Sequence, residues 1–91
     1  NIYFKEVLKK IVKKNGKKIL LKKRILLSLN DDLQIRILGF VIKSLNKLDY
    51  PPRSKKISNA LKFLKKSDDI KHQLGGCTIT TRNNYIFVEK S

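Results

Sequence analysis

Residues 70–88, IKHQLGGCTITTRNNYIFV, contain three short segments with the pattern of β-strands. The first segment alternates in side-chain character, residues 77–81 are rich in β-branched side chains, and residues 85–88 are largely apolar. Gly75-Gly76 and Asn83-Asn84 separate the segments, and turns this short favour antiparallel hairpins. The sequence therefore predicts a three-stranded antiparallel sheet near the end of the chain.

Two amphipathic helices are predicted before this sheet. In the first, Asn30 can cap the helix, and Asp31 and Asp32 place negative charge in its first turn. Its apolar stripe continues to about residue 48 and stops before Pro51-Pro52, because proline disfavours helix in the residue that precedes it. The next helix begins at Pro52 or Ser54, and its stripe consists of Ile57, Ala60, Leu61 and Leu64.

The first 29 residues have a less decisive pattern. Phe4 to Val12 have helical spacing, which predicts a helix that ends at Asn15-Gly16. Residues 17–29 contain two apolar runs separated by Lys22-Lys23-Arg24. They indicate either a buried strand followed by a short helix, or one irregular helix.

The chain is thus expected to be a single α+β domain over residues 1–91. About three to four helices occupy the helical part, about 1–67, and the small three-stranded antiparallel sheet occupies about 69–90. An apolar fraction of 41% is enough for a modest core in one small domain. Because the sequence begins with Asn1 and not with Met, we expect either a piece of a larger protein or a chain that has been processed or trimmed.

Charge is the strongest functional signal. The chain has 22 Lys and Arg against 7 Asp and Glu, a formal net charge of +15. A surface this basic repels itself and is typical of a protein that binds a dense polyanion such as a nucleic acid backbone. The alternative to nucleic acid binding, for a single lysine on a helix, is that it lies on the solvated face of that helix.

Three stretches in order resemble a known family: LLSLNDDLQIRILGFVIKSLN at 26–46, YPPRSKKISNALKFL at 50–64 and HQLGGCTITTRNNYIFVEK at 72–90. The order is similar to the region downstream of the catalytic domain in bacterial tRNA(Ile) lysidine synthetase. The resemblance includes a Leu-rich helix with Arg36 and a Pro-Arg pair before the next helix. It also includes a Leu-Gly-Gly turn before a strand that ends in an apolar run.

Members of that family use ATP to attach lysine to the wobble cytidine of an isoleucine tRNA. Their catalytic half contains a Ser-Gly-Gly-x-Asp-Ser loop that binds ATP phosphates, and no such loop is present here. The resemblance therefore implies a tRNA-binding domain of a cytoplasmic tRNA-modifying ligase. The implied partners are isoleucine tRNA with a CAU anticodon and the catalytic domain, which would hold ATP and Mg. We expect no cofactor in this chain.

Arg53 is the sharpest candidate for a phosphate contact, because Pro52 fixes the preceding backbone and the residue stands at a helix start. Its structural alternative is a salt bridge to Asp49. Tyr85 can stack on an unpaired base, or it can pack on the sheet. The expected nucleic-acid-binding residues are Arg36, Lys43, Arg53, Lys55, Lys56, Arg82 and Tyr85.

The sequence offers little for catalysis or metal binding. His72 is the single histidine and Cys77 the single cysteine, so they do not make up a usual set of metal ligands, and no intrachain disulfide can form. We expect no catalytic or metal residue and no membrane span. The alternative function is a stand-alone DNA-binding module that uses helices 30–48 and 52–66 like a helix-turn-helix.

Overall fold

The computed structural model describes residues 2–15, 18–66 and 71–90, and within them it has four helices and five strands. The helices are α1 (Ile2–Ile11), α2 (Lys23–Ser28), α3 (Asp31–Asn46) and α4 (Ser54–Lys66). The strands are β1 (Val12–Asn15), β2 (Lys18–Lys22), β3 (Lys71–Leu74), β4 (Cys77–Arg82) and β5 (Tyr85–Lys90). The α+β class is therefore confirmed.

The sheet is larger than the sequence predicted. Strands β3, β4 and β5 form the expected antiparallel meander, but β1 and β2 form a second hairpin that pairs with it through β2 and β5. The order is β1-β2-β5-β4-β3, and every pairing is antiparallel. The prediction of three strands was wrong because the pairing that extends the meander joins segments from the two ends of the chain, which short-range patterns do not reveal.

The first helix is shorter than predicted. It ends at Ile11, and the chain continues as β1, in which Val12 is paired with Leu21 of β2. A β-branched side chain suits a strand, and sheet pairing overrides helical spacing in so short a segment. Of the two alternatives for residues 17–29, the structure has the strand followed by a short helix.

The other two helices match the sequence closely. Asn30 caps α3, since its Oδ1 accepts a hydrogen bond from Leu33 N at 2.9 Å, and α4 begins at Ser54. Gln34 is a buried polar residue that the pattern did not single out. Its Nε2 donates to the carbonyls of Leu27 and Leu29, and so ties α3 to the end of α2. The sequence indicates that α4 ends at Ser67-Asp68-Asp69, and these three residues lie outside the described ones.

Both predicted turns are confirmed. Gly75 and Gly76 have φ of 59° and 77°, and Asn83 and Asn84 have φ of 50° and 66°, which is the left-handed backbone of a tight two-residue hairpin. The Gly75-Gly76 turn is also bonded to α3, because Asn46 Nδ2 at the end of that helix donates a hydrogen bond to Gly75 O at 2.5 Å.

The core lies between the helices and one face of the sheet. Buried and more exposed side chains alternate along β2, β4 and β5, so each strand presents one face to the helices and the other away from them. The buried apolar side chains are Ile11, Ile19, Leu21, Leu26, Ile37, Leu38, Val41, Ile42, Ile57, Ala60, Leu61, Leu64, Leu74, Cys77, Ile79, Ile86 and Val88.

Replacing Gly76 with alanine should destabilise the domain. A Cβ at this position would collide with Asn46 Nδ2 and would stand on a backbone with positive φ. We expect the free energy of unfolding to fall by roughly 2 kcal/mol, which lowers the melting temperature by about 8 °C or more in a domain of this size. Thermal unfolding followed by circular dichroism measures this change.

The matched control is Asn84→Gly, which alters the equivalent turn position without adding a side chain. Its melting temperature should stay close to that of the unchanged protein, because glycine adopts positive φ freely. Equal melting temperatures for Gly76→Ala and Asn84→Gly would contradict the described contact between Asn46 and the turn.

Candidate nucleic-acid interface

The positive charge of the domain is largely uncompensated. Seven acidic residues cannot neutralise 22 basic ones, whatever their positions. The ion pairs described are Lys18–Glu89 at 3.7 Å, Arg36–Asp32 at 3.1 Å and Lys65–Asp31 at 3.7 Å, all between solvent-accessible groups. Exposed pairs of this kind contribute little stability, so their cations remain available to an external anion.

A groove of about 650 Å³ runs between α4 and β3, and we call it the α4 groove. It is lined by Leu48, Tyr50, Pro51, Pro52, Arg53, Lys56, Asn59, Phe63, His72, Gln73, Leu74 and Gly75. The groove therefore combines cations, aromatic rings and amide side chains, which are the groups that bind phosphates and bases.

Aromatic rings form part of the wall of the α4 groove. The ring of Phe63 stacks on that of His72, with centroids 5.5 Å apart and planes inclined by 27°. Phe63 is nevertheless 50% exposed, and Tyr50 is 81% exposed. Exposed aromatic faces beside cations are typical of sites where an unpaired base stacks.

Arg53 lies where the sequence placed it, immediately before α4. Its carbonyl accepts the hydrogen bond from Ile57 N at 3.1 Å, so the residue caps the helix, and its side chain lines the α4 groove. Arg53 and Asp49 are both exposed, and no ion pair joins them in the described structure. Lys55 and Lys56 follow in the first turn of α4, exposed to solvent.

Arg36 and Lys43 of α3 lie in a second groove of about 380 Å³ beside the α4 groove. Pro51 and Pro52 line both grooves, and Phe40, which is 47% exposed, lines the second. Arg36 forms its exposed ion pair with Asp32, one helical turn earlier. Five of the seven predicted binding residues are therefore gathered around the connection between α3 and α4.

The remaining two predicted residues, Arg82 and Tyr85, lie on the sheet and line neither of these two grooves. They are paired across β4 and β5, and their neighbours Thr81 and Ile86 are buried. Because side chains alternate along a strand, Arg82 and Tyr85 are directed away from the helices. The ring of Tyr85 lies 6.4 Å from that of Phe87 on the same face.

The described residues hold little that suits catalysis. Cys77 is fully buried, and burial raises the pKa of its thiol, an effect that the charge of Lys90 opposes only in part. A thiol with a raised pKa stays protonated and is a poor nucleophile at neutral pH. No group of three or more His, Cys, Asp or Glu residues within 2–15, 18–66 and 71–90 is placed to hold a metal ion. No helix in those ranges is long and apolar enough to cross a membrane.

The α4 groove could not be predicted from the sequence, because its aromatic residues are far apart in the chain. Phe63 and His72 meet only when β3 packs beside α4. One signal was visible: Phe63 does not belong to the apolar stripe of α4, and a large apolar residue outside the stripe is expected to be exposed.

Comparison with protein families, with curated proteins and with solved structures found no match for this chain. The fold and the site together define a small, strongly basic α+β domain with two adjoining grooves, cationic and partly aromatic, at the start of α4.

Replacing Arg53 with alanine should weaken RNA binding with little effect on folding. Loss of a charge-assisted contact costs about 1 kcal/mol or more even at a solvated site, so we expect affinity to fall about fivefold or more. The melting temperature should change little, since no described ion pair depends on the guanidinium. Fluorescence anisotropy with labelled tRNA, together with thermal unfolding, measures both quantities.

Lys90→Ala is the matched control, because it removes the same charge from an exposed position at the end of β5. It should lower affinity less than Arg53→Ala does. If Arg53→Ala lowers the melting temperature and leaves RNA affinity unchanged, Arg53 has a structural role and does not contact RNA.

Proposed function

We propose that this domain binds RNA through phosphate contacts around the start of α4. The main observation behind the proposal is the α4 groove, which Arg53 and Lys56 line together with the stacked rings of Phe63 and His72, in a domain with a net charge of +15. Cations attract any polyanion, whereas exposed rings add a surface on which bases stack. Their combination favours a nucleic acid over an acidic protein.

The resemblance described above supports tRNA as the particular RNA. By this proposal the domain binds isoleucine tRNA with a CAU anticodon and presents it to the catalytic domain of a cytoplasmic lysidine synthetase. ATP and Mg would be held by that catalytic domain. Gly75-Gly76 lacks the form of a phosphate-binding loop, because it joins β3 to β4 and no helix begins after it.

Duplex DNA binding by a helix-turn-helix is the alternative, and it is favoured by the packing of α3 against α4. Two features weigh against it. The connection from residue 47 to residue 53 is seven residues long, whereas a helix-turn-helix has about three or four. The exposed face of α4 carries mostly lysines, which bind phosphates, whereas bases are read chiefly by arginine, asparagine and glutamine.

RNA binding by the whole domain should weaken steeply as salt is added. About five phosphate contacts would release enough counterions to give a slope near −4 in a plot of log affinity against log salt concentration. Affinity for tRNA should therefore fall about a hundredfold or more between 50 and 200 mM salt. Anisotropy titrations at several salt concentrations measure this slope.

A duplex DNA of the same length as the tRNA provides the comparison that separates the two functions. We expect the domain to bind tRNA more tightly than duplex DNA at every salt concentration. Affinity that does not change with salt would contradict polyanion binding, and tighter binding to duplex DNA would favour the helix-turn-helix alternative.

A further inference from the structure

The side of the sheet that faces away from the helices has an unusual composition. We call it the outer sheet face and define it by Leu20, Lys22, Thr80, Arg82, Tyr85 and Phe87. All six are partly or fully exposed, whereas the residues that alternate with them on β2, β4 and β5 are buried. None of the six belongs to the core or to the partly buried residues packed against it.

Strand register arranges these residues in two rows across the sheet. In one row Lys22, Tyr85 and Arg82 are direct neighbours on β2, β5 and β4. In the other row Leu20, Phe87 and Thr80 are neighbours in the same way. Both aromatic residues lie on β5, the central strand, with ring centroids 6.4 Å apart.

The charge around the two rings is almost entirely positive. Tyr85 has a cation on each side, and the row through Phe87 continues to Lys13 on β1 and Lys71 on β3. Glu89 is the one acidic residue on the described strands, and it pairs with Lys18 at 3.7 Å. The outer sheet face thus has two aromatic rings at its centre and basic side chains around them.

We propose that the outer sheet face binds a single-stranded segment of RNA, with unpaired bases stacked on Tyr85 and Phe87 and phosphates bound by the flanking cations. This inference rests on the proposed function and deepens it, because it adds a second surface that accepts only unpaired nucleotides. Stacking of bases on exposed aromatic rings in a basic groove is the general way in which proteins bind single strands without strong sequence preference.

The physical properties of the face favour a single strand over other occupants. An RNA duplex presents its phosphates and 2′-hydroxyls, whereas its base faces are stacked inside the helix and cannot reach Tyr85 or Phe87. A second copy of this chain would bring another strongly basic surface against this one, and like charges in contact are unfavourable. A single strand supplies both a negative backbone and free aromatic bases.

The test uses the double variant Tyr85→Leu/Phe87→Leu. Leucine keeps apolar contact with neighbouring side chains but has no aromatic face, so a structural role is largely preserved while stacking is lost. Anisotropy titrations compare a labelled 12-nucleotide unstructured RNA with a 12-base-pair RNA duplex. We expect affinity for the single strand to fall about tenfold or more and affinity for the duplex to change less than about twofold.

The control is Ile25→Ala, which removes a partly exposed apolar side chain of α2 that neither lines the α4 groove nor belongs to the outer sheet face as defined above. It should leave binding of both RNAs unchanged. If the double variant keeps its fold and binds the single strand as tightly as the unchanged protein does, the outer sheet face is not the site, although RNA binding by the α4 groove stands. If the unchanged protein binds neither RNA, the proposed function fails as well.

A second measurement covers the case in which the double variant does not fold. The unchanged protein is crosslinked to single-stranded RNA that contains 4-thiouridine, and the crosslinked residues are located by mass spectrometry. Crosslinks at Tyr85 or Phe87 support the inference. Crosslinks confined to the helices, or a dimer in sedimentation experiments that single-stranded RNA does not dissociate, overturn it.

Discussion

The pairing of β2 with β5 is the contact on which the rest of the structure depends. It joins the hairpin at the start of the chain to the meander at its end, with Ile19 opposite Val88 and Leu21 opposite Ile86. All four of these side chains are buried, so the same register that forms the hydrogen bonds also completes the apolar face of the sheet. Without this pairing, β5 would be an edge strand, and the β1–β2 hairpin, which α1 contacts, would be separate from the meander.

This pairing also explains how one small domain has two cationic surfaces. The alternation of side chains along β5 sends Ile86 and Val88 into the core and leaves Tyr85 and Phe87 on the opposite side. The helices then cover only the core side, and α4 forms its own groove with β3 at the edge of the sheet. A shift of β5 by one residue would exchange the two sets and destroy both the core and the outer face.

Much of this fold could be predicted because it depends on the residue types in short stretches of the sequence. The Gly75-Gly76 and Asn83-Asn84 turns, the Asn30 cap and the start of α4 near Pro52 each depend on a few adjacent residues, and the structure has all of them. The β1–β2 hairpin was not predicted because Val12 is part of a strand that pairs with Leu21. The place of Leu21 in the sheet depends in turn on its pairing with Ile86, near the far end of the chain. The candidate site follows the same division: the position of Arg53 at the start of α4 could be predicted from its local context, whereas the stacking of Phe63 on His72 depends on the tertiary structure.

We propose that this domain binds RNA on defined surfaces and not by diffuse attraction to its many lysines. The most direct test is an NMR titration of ¹⁵N-labelled protein with a short single-stranded RNA at moderate salt. We expect the largest amide shift changes at the outer sheet face, around Tyr85 and Phe87, and in the α4 groove, around Arg53. Shift changes of similar size at all basic segments, or changes centred on α1, would contradict it.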